Sequence, residues 1–160
     1  MNPKTSNWAV VAGSVFYIGF LPKIPGTWGS FAALPLIYLA SQFIHPLFGP
    51  LLFALLFSAI TLIAANGIEK ELGPDPAECV SDEFAGQAMV FLFIPVYTSW
   101  EYNLLVFLAG FFLFRFFDVL KPLGIGAIQN TEGGWGVLLD DIVAGMYAQI
   151  CLLFIIFVIL

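Results

Sequence analysis

Charge is scarce in this chain: charged residues fill 10% of its 160 positions and apolar residues 61%, with a mean hydropathy of +0.98. Soluble domains carry roughly a quarter charged residues, so the composition is that of a multi-pass membrane protein. Bases are scarcer still, five against eleven acids, for a net charge of -6. None of the five stands in a run, and a nucleic-acid backbone needs clustered Lys and Arg. Histidine occurs once, as His45 in a His-Pro turn, which excludes phosphatase chemistry that needs more than one histidine. The two cysteines, Cys79 and Cys151, lack metal-site spacing and the arginine that a cysteine phosphatase places shortly after its nucleophile. One lies in a polar loop and the other in an apolar run, which makes a disulfide between them possible but unpromising. No Gly-x-Ser-x-Gly elbow marks a serine hydrolase, and no signal-peptide pattern or low-complexity segment is evident. Residues 1–160 are expected to form one domain.

What is present is a series of apolar runs broken by polar loops. Residues 8–20 are apolar but short of the roughly 20 residues that a span needs, and read as an interfacial or buried helix. Residues 31–44, 51–66, 84–98, 103–117 and 142–160 read as spans. The expected fold is therefore all-α, a multi-pass helical membrane bundle of about four to five spans plus that N-terminal helix. Such a count brings the N-terminal loop, the 67–83 loop and the 118–141 loop to one face. Lys4, Lys23, Lys70, Arg115 and Lys121 all lie on or near that face, and of the charged residues Glu101 alone falls on the other. By the positive-inside rule the charged face is cytoplasmic.

Three polar segments stand out. Residues 19–30, G-F-L-P-K-I-P-G-T-W-G-S, hold two prolines and three glycines, a pattern that argues against regular helix. They read either as a turn or as an anion cradle, with Lys23, Gly26, Thr27 and Ser30 as donors; Ser30 could also cap the helix after it. Residues 67–83 contain six of the eleven acids and end in Asp82 and Glu83, at the mouth of the next apolar run. Ser81 or Asp82 suits an N-cap there. The dipole of a helix accounts for one acid at its start more readily than for an adjacent pair. In the third segment, Arg115, Asp118 and Lys121 recur every third residue and share a helical face. Either they form an ion pair with a snorkelling lysine, or they turn a charged face toward a phosphate or a metal. A glycine-rich stretch then leads to Asp140 and Asp141 at the start of the last run.

D-E-F-A-G and D-D-I-V-A-G echo each other, each with a glycine four residues after an acid (Asp82–Gly86, Asp141–Gly145), where small residues let helices approach. Four carboxylates, Asp82, Glu83, Asp140 and Asp141, at two facing helix starts call for a cation. Oxygen ligands without His or Cys suit Mg²⁺ or Mn²⁺ rather than zinc. With a donor loop and paired bases this makes a phosphoryl-handling site. A small ion transporter or channel subunit is the alternative, but it would place acids in mid-span and charge on both faces. A non-catalytic scaffold would leave the acid pairs unexplained.

At this point the motifs match a family. L-P-K-I-P-G-T-W-G-S (21–30), D-P-A-E-C-V-S-D-E-F-A-G (75–86), F-R-F-F-D-V-L-K-P (114–122) and G-G-W-G-V-L-L-D-D-I-V-A-G (133–145) together resemble the bacterial phosphatidylglycerophosphatase A family, in its order and about its spacing. The resemblance implies a Mg²⁺-dependent phosphatase of the bacterial inner membrane, facing the cytoplasm, that converts phosphatidylglycerophosphate to phosphatidylglycerol. On this chain Asp82, Glu83, Asp140 and Asp141 would hold the metal. Asp118, Lys121, Arg115 and Asp141 would act in catalysis, and Lys23, Gly26, Thr27 and Ser30 would bind substrate. Two features depart from the family pattern. The segment before Gly133, L-G-I-G-A-I-Q-N-T-E, has no base, and Cys79 stands where an aliphatic residue is usual.

Overall fold

The computed structural model describes residues 7–74, 76–128 and 134–159, so Lys4 and the stretch 129–133 lie outside the described residues. Among these the chain is helical throughout. In order come α1 (Trp8–Gly13), a 3₁₀ turn (Ile18–Phe20), α2 (Pro25–Phe43), α3 (Phe48–Leu72), α4 (Ser81–Val90), α5 (Trp100–Leu120), α6 (Ile125–Ile128) and α7 (Gly134–Ile159).

The span count differs from the sequence expectation. Among the described residues three helices are long and apolar enough to cross a membrane: α3, α5 and α7. α2 has 19 residues, and α4, expected to run over 84–98, has only 10. Its termination precedes Pro95: Phe91–Phe93 form a turn, with Phe93 in the left-handed region at φ 63°. That turn is held from outside. Phe91 stacks on Phe107 at 4.2 Å between ring centroids, and the Gln149 side-chain amide donates to the Leu92 carbonyl. Packing therefore halts a helix that hydropathy alone would prolong.

α4 is the middle of the molecule. It touches α2, α3, α5 and α7, and all its residues but Glu83 and Met89 are buried. Phe84 stacks on Phe57 of α3 at 4.7 Å, and Ser81 Oγ lies 2.8 Å from Thr61 Oγ. The longer helices instead turn large apolar side chains outward, Ile63, Phe112 and Phe154 among them, each about two-thirds exposed. In water such a surface would be a liability; in lipid it is the solvated one.

Two further expectations change. Residues 25–30 are helix, not loop. Pro25 occupies the first turn of α2, where a missing N–H costs nothing and a fixed φ helps, and α2 continues through Pro35. The last helix begins at Gly134, not Ile142. A Cβ on Gly134 would come within 2.6 Å of the Ala65 Cβ, so the glycines that resemble linker allow α7 to pack on α3.

Candidate active site

The N-terminal part of α2, the start of α4, the end of α5 and the second turn of α7 meet around a cavity of about 390 Å³. Gly26, Thr27, Asp82, Glu83, Arg115, Asp118, Lys121, Asp140 and Asp141 line it, and the loop before α4 closes one wall with Pro76, Ala77 and Cys79. Two expected residues stand differently. Ser30 is buried behind the cavity, donating from Oγ to the Gly26 carbonyl at 2.8 Å and accepting from Arg115 Nη1 at 3.3 Å. It is inside α2, so it does not cap it. Lys23 is exposed with φ 79° and is absent from the lining.

Asp82 and Glu83 sit in the first turn of α4, whose N-cap is Val80 rather than Ser81 or Asp82. Asp82 Oδ1 accepts from the Glu83 amide at 3.0 Å. On the other side, Asp140 and Asp141 fall about 9–11 Å inside α7, at 1.5 Å per residue from Gly134, rather than at its mouth. Asp82, Glu83 and Asp141 each offer a carboxylate oxygen within 4.8 Å of the other two. Asp140 points elsewhere: its Oδ2 takes Lys121 Nζ at 2.5 Å. The second base is likewise paired, Arg115 Nη1 lying 2.6 Å from Asp118 Oδ2.

Glycines set this geometry. A Cβ on Gly86 would meet the Asp141 carbonyl oxygen at 2.6 Å and Phe114 Cε2 at 2.8 Å. One on Gly145 would strike the Gly86 carbonyl. So α4 and α7 cross backbone to backbone, and the acid a turn before each glycine faces the other. Gly26 serves differently, since a Cβ there would run into the Glu83 carboxylate and come within 3.2 Å of Arg115 Nη1. The first turn of α2 thereby lies directly against the acids and the arginine.

Burial pushes the Asp82 carboxyl up to about 6, the bond from the Glu83 amide partly opposing it. Glu83 is raised well above the usual carboxylate range, by burial first and the charge of Asp82 second. Desolvation works to lower Lys121, but the hydrogen bond and charge of Asp140 outweigh it and hold the ammonium above its ordinary value. The Cys79 thiol is driven far up by burial and by Asp82.

Packed carboxylates with raised proton affinity suit a hard divalent cation, which takes oxygen ligands. The unsatisfied atoms agree: Glu83 Oε2 is buried without a hydrogen-bond partner, and orphaned buried polar atoms ask for an explanation such as an ion. Gln87, one turn after Glu83, is fully buried, and neither amide atom has a hydrogen-bond partner among the described residues. Sequence reasoning passed over it; the signal was an amide within the apolar run F-A-G-Q-A-M-V.

Comparison with known proteins agrees with this arrangement. A protein of Bacteroides thetaiotaomicron named "Putative phosphatidylinositol-3-phosphatase" is 38% identical over 146 residues, covering 88% of this chain and 89% of its own. The phosphatidylglycerophosphatase A of Escherichia coli is 35% identical over 155 residues, covering 95% and 86%. That of Haemophilus influenzae is 35% identical over 140 residues, covering 84% and 80%. No solved structure matches the chain. The phosphatidylglycerophosphatase A family pattern matches residues 11–156, which include the whole cavity lining, and the chain belongs to that family of phosphoric monoester hydrolases.

Proposed function

We propose that this protein removes the terminal phosphate of phosphatidylglycerophosphate, leaving phosphatidylglycerol and inorganic phosphate, with Mg²⁺ as cofactor. The observation that carries the reading is the three-carboxylate cluster set against the first turn of α2. Asp82, Glu83 and Asp141 would hold the ion, and Asp140 would contribute by fixing Lys121. When bound, the ion supplies positive charge to phosphate oxygens and lowers the pKa of a water.

The chain's own groups do the rest. The first N–H groups of a helix have no intrahelical acceptor, so the Gly26–Thr27 turn is a place for phosphate oxygens. Arg115 and Lys121 present charge to the same cavity and stabilise what develops as the ester bond breaks. Asp118, lining the cavity beside Arg115, is assigned the proton of the attacking water. Lys23, exposed and next in sequence to the lining residue Ile24, is assigned as a charge for an anionic headgroup.

Localisation follows from the same features. Lys70 in the last turn of α3, Arg115 and Lys121 all lie toward the cavity end of their helices. By the positive-inside rule these bases support a cavity on the cytoplasmic side, and the reading is of the bacterial inner membrane. The test is phosphate release from purified protein over a panel of phospholipid monoesters, with and without Mg²⁺. The panel includes phosphatidylinositol 3-phosphate, because of the name carried by the Bacteroides relative. Release from phosphatidylglycerophosphate that stops with EDTA and returns with Mg²⁺ supports the reading; preference for the inositol lipid would replace its substrate.

A further inference from the structure

A second cavity, about 460 Å³, opens between α2 and α5, lined by Phe31, Leu34 and Tyr38 on one side and Leu104, Phe107 and Leu108 on the other. Asn103, at the end toward Trp100, is engaged with the backbone N–H and carbonyl of Tyr97 at 2.8 Å each. Nothing in this groove offers a hydrogen bond to a polar ligand beyond the Tyr38 hydroxyl and the Trp100 ring N–H.

The groove lies in line with the active-site cavity along the same two helices. On α2, Thr27 lines the first cavity and Phe31, one turn on, lines the second. Leu34 and Tyr38 follow at helical spacing along one face. On α5, Arg115 lines the first cavity, and stepping back by threes and fours passes Phe111 and Leu108 to Leu104. Edge-to-face rings join the two helices, Phe31 on Phe111 at 5.8 Å and Tyr38 on Phe107 at 5.6 Å. The path from Thr27 to Tyr38, like that from Arg115 to Leu104, is about 16 Å of helix axis at 1.5 Å per residue. Half of a hydrocarbon core roughly 30 Å thick is about 15 Å. The groove therefore begins one helical turn beyond the active-site cavity on α2 and two turns beyond it on α5, and its far end lies about one leaflet's depth from the phosphate end.

We propose that this α2–α5 groove seats an acyl chain of the lipid whose phosphate occupies the adjoining cavity, so that the enzyme reads its substrate by chain as well as by headgroup. This rests on the reading of the substrate as a diacyl phospholipid. A groove open along its length holds a chain without extracting the lipid from the bilayer. It also favours a lipid over a water-soluble phosphate ester of the same headgroup, because only the lipid carries a chain that can pack against the apolar lining.

The test fills the groove. Leu104→Trp puts a large ring in it. Phe112→Trp, on the same helix at a position 67% exposed and outside the groove lining, is the control. Each is assayed with dioleoyl phosphatidylglycerophosphate in mixed micelles and with the dihexanoyl lipid, whose chains end short of Tyr38. Leu104→Trp should raise KM for the dioleoyl lipid about tenfold, leave kcat/KM for the dihexanoyl lipid within about twofold of the unsubstituted protein, and differ in this from Phe112→Trp. An unchanged dioleoyl KM in Leu104→Trp overturns the proposal and leaves the groove to any bilayer lipid. Equal loss on both lipids also overturns it, as damage to the bundle or to contact with a second copy. If the unsubstituted protein hydrolyses neither lipid, the substrate reading fails first, and the groove proposal with it.

Discussion

Gly86 of α4 lies so close to Asp141 of α7 that a methyl group on Gly86 would sit 2.6 Å from the Asp141 carbonyl oxygen. This crossing sets the distance between the two acid-bearing helices. Gly86→Ala must move α4, α7 or the Phe114 ring, and overpacking of this kind costs about 1–3 kcal/mol. The expected outcome is a folded protein with a lower Tm, phosphate release down at least about tenfold, and weaker Mg²⁺ activation. Full activity in Gly86→Ala would show that the crossing does not set the site.

The carboxylates should separate into two classes. Asp82→Asn, Glu83→Gln and Asp141→Asn remove oxygens from the 4.8 Å cluster, and each is expected to cut activity by about a hundredfold or more and raise the Mg²⁺ concentration needed. Asp140→Asn acts through Lys121. Its loss should be smaller, and Asp140→Asn with Lys121→Met should cost little more than the worse single change, because paired groups are not additive. A double-variant activity equal to the product of the two single effects would sink the pairing.

Asp82 titrates near 6 because it is buried, and the sign of the consequence is fixed. A carboxyl whose folded pKa is raised makes the metal-free protein more stable at low pH, and that stability is lost as pH climbs from about 4 through 6. Metal binding runs the opposite way, because protons compete for the same oxygens. Thermal shift without Mg²⁺ should show Tm falling across that window, whereas Mg²⁺ affinity, followed by titration, should rise by about tenfold per pH unit below 6 for one proton displaced. A Tm that rises with pH in the absence of metal would contradict it.

Cys79 is buried, and both burial and the neighbouring Asp82 hold its thiol in the neutral form, whereas the thiolate is the nucleophile. In a Cys151→Ser background, iodoacetamide at neutral pH should leave the folded protein unmodified and label it fully after denaturation in SDS. Rapid labelling of the folded protein would mean that the wall formed by Pro76, Ala77 and Cys79 opens.

Much of the site was legible because its chemistry is local. Asp82 and Glu83 stand together at a helix start, Arg115 and Asp118 are one turn apart, and each acid pair has a glycine a turn beyond it. Those spacings need only helical periodicity. Hydropathy likewise announced a helical membrane protein, since 10% charged residues is far below the roughly one quarter of soluble domains. What misled was punctuation. Pro25, Gly26 and Gly29 resemble a loop by composition, yet Pro25 begins α2 and Gly29 packs on Val80, where a Cβ would come within 2.8 Å. Gly134 and Gly136 resemble linker for the same reason.

By itself, then, the sequence determined the class of the molecule, the acids at its polar end and the family to which it belongs. Each of these depends on residue type and short-range spacing. Tertiary structure decided the rest. It stopped α4 at Val90, where the stacked Phe91 and the bonded Leu92 carbonyl outweigh apolar continuity. It divided four similar acids into a cluster of three and one partner for Lys121. That division depends on which helix face meets which neighbour at what depth, and such contacts between distant segments are carried by no single stretch of the chain.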